Sequence, residues 1–247
     1  MKTKLSLAIL VVILLTSIHF LTKNTSNGTF KNQQKASFSF IKCTPTTYLL
    51  EVVDSTQQIA PLFENLGDLT YTITTKNERA QTFFNQGLRL TYAFNHAEAH
   101  RSFMEASRLD PNSAMTFWGQ AYALGPNIND PLPPEERKIK TNEALAKAVS
   151  LASTATPKEQ ALINALTARY SEDLTKDVEE LNMDYMNAMT KVLQDYPDDA
   201  DVQVLYAASV MNTVPWNYWD ENGHPSPNIP EAKAALEKAM EINPNNP

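Results

Sequence analysis

Residues 80–113 read AQTFFNQGLRLTYAFNHAEAHRSFMEASRLDPNS, and this stretch decides the fold. Apolar and small residues recur at three- and four-residue steps, the period of a helix with one buried face. Phe83 and Gly87 mark a first helix, and Ala99, Phe103 and Ala106 mark a second. Pro111 closes it, because proline lacks an amide N–H and pushes the residue before it out of the helical region. The closing pattern returns. RLDPN at 108–112 is echoed by DYPDD at 195–199 and EINPN at 241–245.

The spacing of these closers points to a repeat. With Ala80 as the first position, Phe83 falls at 4, Gly87 at 8, Ala99 at 20, Phe103 at 24, Ala106 at 27 and Pro111 at 32. Small residues at 8, 20 and 27 let two helices touch closely, and large ones at 4 and 24 fill the space between neighbours. Ala232, Leu236, Ala239 and Pro244 reproduce positions 20, 24, 27 and 32 near the end of the chain. Pro111, Pro157, Pro197 and Pro244 lie 46, 40 and 47 residues apart. Each interval is one 34-residue unit plus an insertion.

This pattern resembles the tetratricopeptide repeat (TPR), a helix–turn–helix unit. The resemblance implies an all-α, right-handed superhelical stack over residues 78–247, with about four repeats at 80–113, 114–159, 160–199 and 200–247. The third is the poorest match, with Tyr185 where a small residue is expected. The chain stops just after a terminator, at NPNNP, so the domain is expected to be truncated at its C-terminus. Residues 73–129 also resemble a module of exported bacterial repeat proteins of unassigned role, which implies export and scaffolding and supplies no reaction.

Export also follows from the N-terminus itself. Lys2 and Lys4 precede an apolar run from Leu5 to Leu21, the layout of a signal peptide or an uncleaved membrane anchor. We assign 1–24 to that segment and 25–77 to a largely irregular linker. Residues 1–50 hold six lysines and no acid, so the remaining 15 Lys and Arg face all 28 Asp and Glu. An acidic body repels phosphate backbones and makes nucleic acid an improbable partner. The single cysteine, Cys43, excludes an intrachain disulfide.

Three groups of residues are candidates for function. In the repeat family the first helices line a concave groove. Carried over, those positions include Phe84, Leu88, Tyr92, Trp118, Tyr122, Asn164, Val204 and Met211. The family clamps a peptide's terminal carboxylate with Lys, Arg and Asn, and the basic residues of that clamp are missing from these positions. Such a groove suits an amphipathic helix, an extended peptide or a small apolar or sugar ligand, or else Phe84, Leu88 and Trp118 are simply core. The second group is carried by two long insertions expected at one edge of the stack: Asn127 and Asn129 in LGPNINDPLPPEE, and Trp216, Tyr218 and Trp219 in NTVPWNYWDENGHPSPNIP. These aromatics either recognise a ligand or plug the stack.

The third group is HAEAH at 96–100. His96 and His100 share a helix face, as in half of a zinc site. Asn95 and Glu98 fit a capping box instead, and Glu98 does not directly follow the first histidine as in zincins. A metal site would need a third ligand, with His224, Asp220 and Glu221 as candidates by residue type alone, so no metal or cofactor is expected. The main expectation is a non-enzymatic exported scaffold that binds a protein or peptide. The alternative is a small-ligand or metal-binding receptor or enzyme centred on His96, His100 and the 215–225 loop; a structural spacer within a longer chain is a third.

Overall fold

The structure is a computed structural model that describes residues 48–50 and 56–244. The signal or anchor segment 1–24, Cys43 and most of the expected linker lie outside the described residues. Eight α-helices and no strand occur among the described residues. They are α1 (Glu78–Tyr92), α2 (His96–Leu109), α3 (Ala114–Leu124), α4 (Glu135–Leu151), α5 (Pro157–Thr167), α6 (Val178–Asp195), α7 (Ala200–Met211) and α8 (Ile229–Ile242). Among these helices none is long and apolar enough to cross a membrane. Each helix packs against the next in sequence, and α3 also touches α1 and α5.

The helix ends follow local chemistry. Asn77 accepts from the amides of Arg79 and Ala80 at the start of α1, Asp199 from Val202 at the start of α7, and Thr156 and Glu159 form a capping box on α5. Helices α2, α6 and α8 each stop two residues before a proline, at Pro111, Pro197 and Pro244. The intervening Asp110, Tyr196 and Asn243 have non-helical backbone angles.

The capping box expected at Asn95 and Glu98 is absent. Asn95 is the N-cap of α2, but its side chain accepts no hydrogen bond there. Only Ala93–Asn95 separate α1 from α2, and α1 takes these residues for its own C-terminus. The Phe94 amide donates to the Thr91 carbonyl and the Asn95 amide to the Leu90 carbonyl, a Schellman closure. The Asn95 N–H that Glu98 would reach is already used, and Glu98 pairs with Arg101 at 3.3 Å instead.

Core spacing is set by one aromatic ring. Phe103 of α2 is fully buried between Gly87 of α1 and Gly119 of α3. A methyl group at Gly87 would sit 2.6 Å from a Phe103 ring carbon, and one at Gly119 would sit 2.4 Å away. Phe84 packs on the same ring at 5.3 Å between centroids.

Residues 56–77 form neither helix nor strand, yet their backbone is held by side chains of the helices. Gln86 accepts from the Phe63 amide at 2.7 Å and donates to the Pro61 carbonyl at 2.8 Å. Gln81 repeats the device, accepting from Ile73 at 2.9 Å and donating to the Tyr71 carbonyl at 2.7 Å. Asn85 accepts from the Tyr71 amide and Arg89 donates to the Leu69 carbonyl. Glu159 takes both the amide and the hydroxyl of Thr74, each at 2.6 Å. An extended segment without a sheet has unpaired amides and carbonyls, and these side chains satisfy them. Leu69, Tyr71 and Ile73 can therefore be buried in the core.

Gly87→Ala tests the ring-in-cleft arrangement. Alanine favours a helix over glycine by about 1 kcal/mol, whereas overpacking costs about 1–3 kcal/mol. Phe103 has nowhere to go, so we expect net destabilisation, measured by denaturant unfolding. Adding Phe103→Leu should relieve it, giving a coupling of about 1 kcal/mol between the two sites.

Candidate functional site

Helices α1, α3 and α7 and the 125–134 loop surround a cavity of about 280 Å³. Its walls come from Thr91 and Tyr92 at the end of α1, Tyr122 of α3, and Val204, Ala208 and Met211 of α7. Phe94, His96, Pro126–Ile128, Arg169, Asn212 and Leu236 complete it. Tyr92, Tyr122, Val204 and Met211 of the expected groove therefore meet Asn127 of the insertion edge and His96 of HAEAH at one site.

The other expected groove residues go elsewhere. Phe84, Leu88 and Trp118 are buried core. Tyr71 from the extended segment covers Phe84, with 6.0 Å between ring centroids. Trp118 stacks on Tyr122 at 5.2 Å, and its indole N–H donates to the Leu162 carbonyl. Asn164 is exposed on α5. This end of the inner face is also bridged: the Tyr92 hydroxyl donates to Asp201 across 2.9 Å, and Lys158 pairs with Asp199 at 2.6 Å.

The two insertions meet at the cavity's rim. Trp216 donates its indole N–H to the carbonyl of Ile128, a wall residue, at 2.8 Å. Trp216 and Trp219 are otherwise more than half exposed, and Tyr218 is partly buried edge-on to Trp219. Asn127 Oδ1 accepts from the amides of Asn129 and Asp130 and shapes the loop, which places Asn129 in a supporting turn. The loop is anchored through Asp130, paired with the buried Arg137 at 2.7 Å.

The polar groups on the wall set the site's character. Arg169, 2% exposed, donates through Nη2 to the Pro126 carbonyl at 2.6 Å. The rings of Tyr122 and Tyr185 lie 5.6 and 4.9 Å from its guanidinium carbon. Among the described residues it has no carboxylate partner, and its Nε has no hydrogen-bond partner. His96 is 6% exposed, and neither ring nitrogen has a partner among the described residues. The same holds for Asn127 Nδ2 and Asn212 Oδ1. Leaving a buried polar group unpaired costs about 1–3 kcal/mol, and a charge costs more. Four such groups on one cavity make it the candidate site.

Phe94 adds a strained element. Its φ is 60°, in the left-handed region, which costs a residue with a Cβ about 1–2 kcal/mol. This geometry sets the ring edge-on to His96, 6.2 Å between centroids, at the cavity wall.

The histidine pair is divided. His96 lines this cavity, whereas His100 lines a separate one with Met104 and Phe117. His224 is exposed, with Nδ1 3.0 Å from Asp220 Oδ2 across a surface turn whose central residues are Glu221 and Asn222. Among the described residues no group of three or more His, Cys, Asp and Glu side chains is placed to hold a metal ion. Sequence reading passed over Arg169. The available signal was a cation five residues after Asn164, an expected groove position, in an otherwise acidic body.

Comparison with known protein families, with characterised proteins and with solved structures finds no match to this chain.

Burial, helped by Arg169 and Arg137 and opposed by Asp130, lowers the His96 pKa to about 4. Burial and then Arg101 lower His100 to about 3. Asp201 moves the other way, raised by burial to about 6, with Asp199 adding to the rise and Tyr92 and Lys158 opposing it. A depressed imidazole binds its proton better in the unfolded chain, so its stability is lost as pH falls below the ordinary value of 6.5. The raised carboxyl acts oppositely, contributing stability below 3.8 that is lost as pH rises through about 6. Both histidine displacements exceed the aspartate's, so thermal stability should fall between about pH 7 and about pH 5. Replacing His96 and His100 by leucine should flatten that dependence in a melting series, and an unchanged slope would contradict the assignment.

Proposed function

We propose that the chain is an exported helical-repeat protein of the TPR type that acts by binding and carries no catalytic activity. Its ligand, in this reading, is a small molecule seated in the cavity bounded by α1, α3 and α7. The repeat reading is supported by the matched proline closers, the packing of successive helices and the small residues around Phe103. Export rests on Lys2, Lys4 and the apolar run after them.

The observation that carries the ligand reading is convergence. Groove positions from three repeats, an insertion residue and His96 line a single cavity of about 280 Å³. Ligand pockets run from about 300 to 1,000 Å³, so this one suits a compact ligand. Tyr71 over Phe84 and the Tyr92–Asp201 bridge cover the rest of the inner face. That leaves little room for a long helix or peptide lying along the groove. A second reading, recognition of a protein partner, rests on the opposite kind of surface. Leu132, Trp216 and Trp219 stand exposed on the insertion loops.

Filling the cavity tests the first reading. Val204 and Ala208 are partly exposed on the wall, so Ala208→Trp puts an indole into the cavity without disturbing buried packing. A panel of small aryl and alkyl compounds should include members that raise the wild-type melting temperature. A ligand at a hundred times its Kd adds about 2.7 kcal/mol. Ala208→Trp should lose that gain. A panel that moves neither protein, or both alike, would sink the reading.

A further inference from the structure

We infer that the ligand of this cavity carries a single carboxylate on an apolar body, and that Arg169, His96 and Asn127 receive the carboxylate. The inference rests on the small-ligand reading above and names its chemical class. The argument starts from charge. Arg169 brings one positive charge into a wall from which water is largely excluded, with no acidic partner among the described residues. Every other ionisable group close by is neutral or balanced. Arg137 is paired with Asp130, His96 is an uncharged imidazole above about pH 4, and Asp201 at the far end is bonded to Tyr92 near the Lys158–Asp199 pair. One uncompensated cation calls for a monoanion. A phosphate dianion would need a second positive charge that the wall does not hold.

The geometry narrows the ligand further. Tyr122 and Tyr185 lie against the guanidinium, Tyr170 bonds to it and Pro126 takes one Nη2 hydrogen, while the Nε hydrogen has no partner among the described residues. An arginine edge matches the two oxygens of a carboxylate. His96 and the Asn127 amide supply further donors without adding charge. The remaining wall is apolar, with Ile128, Val204, Ala208, Met211 and Leu236 around the rest of the volume. A wall with its polar groups gathered and its other residues apolar suits an aryl or alkyl acid. Arg169 lies outside the groove positions from which the repeat family builds its peptide-carboxylate clamp, so the site is this chain's own arrangement.

The test compares matched probes on the full chain by calorimetry: octanoate with octanamide, and 3-phenylpropanoate with 3-phenylpropanamide. At least one acid should bind ten times or more tighter than its amide, since a hydrogen bond to a charged group is worth about 1.5–3 kcal/mol. Arg169→Met should abolish the preference, and Arg169→Lys should restore it only in part. The Arg169 variants risk the fold, so a second readout uses wild type alone. Binding of the acid next to His96 should raise the imidazole's titration midpoint in NMR, and the amide should leave it in place. Equal affinity for acid and amide would overturn the carboxylate while leaving a small-ligand site intact. Binding of inorganic phosphate in preference to either acid would overturn it as well. If neither acid binds although neutral members of the earlier panel do, the carboxylate inference fails alone; if nothing fills the cavity but water, both fail together.

Discussion

One aromatic ring holds the first three helices at their distance. Phe103 lies between Gly87 and Gly119, in a cleft that admits no methyl group on either side. Close packing of this kind leaves no freedom to slide, because protein interiors are as dense as organic crystals. The separation of α1 and α3 is therefore fixed, and with it the positions of Tyr92 and Tyr122 at their C-terminal ends. Those two side chains form one side of the cavity. The far side is set by α7, tied to α1 through the Tyr92–Asp201 bond and to α5 through Lys158 and Asp199. The cavity is thus bounded by elements that reach it from a packed core.

Against that rigid frame, the polar wall stands out by its cost. Arg169, His96, Asn127 and Asn212 each carry at least one buried atom without a partner among the described residues. A buried polar group that nothing pairs with costs about 1–3 kcal/mol. Phe94 adds backbone strain at the same place. Polar groups held ready on a rigid wall are what a binding site built in advance of its ligand requires. The same groups would gain most from a ligand that matches them.

Much of the helical plan was legible in the sequence. Pro111, Pro197 and Pro244 mark helix ends because proline acts on its immediate neighbour, and such local rules read directly from order along the chain. The groove positions were partly legible: Tyr92, Tyr122, Val204 and Met211 reach the cavity, while Phe84, Leu88 and Trp118 are buried. The difference lies in Tyr71, whose segment folds back over α1 through contacts that no periodicity announces. Asn95 and Glu98 matched a capping pattern, yet α1 claimed the same amide for its own closure. Arg169 stayed hidden because its meaning depends on Pro126, Tyr122 and Tyr185, more than 40 residues away or on other helices. HAEAH was legible as a helix start, but the division of its histidines between two cavities depends on what packs around them.

The central claim is that this cavity, and the charge of Arg169 within it, is where the protein works. Native mass spectrometry of protein purified gently from its source tests that claim most directly. The account predicts a small acidic molecule that stays with the folded chain, leaves on unfolding, and is absent from Ala208→Trp prepared alongside. A chain that carries nothing, or an adduct that persists when the cavity is filled, would contradict it.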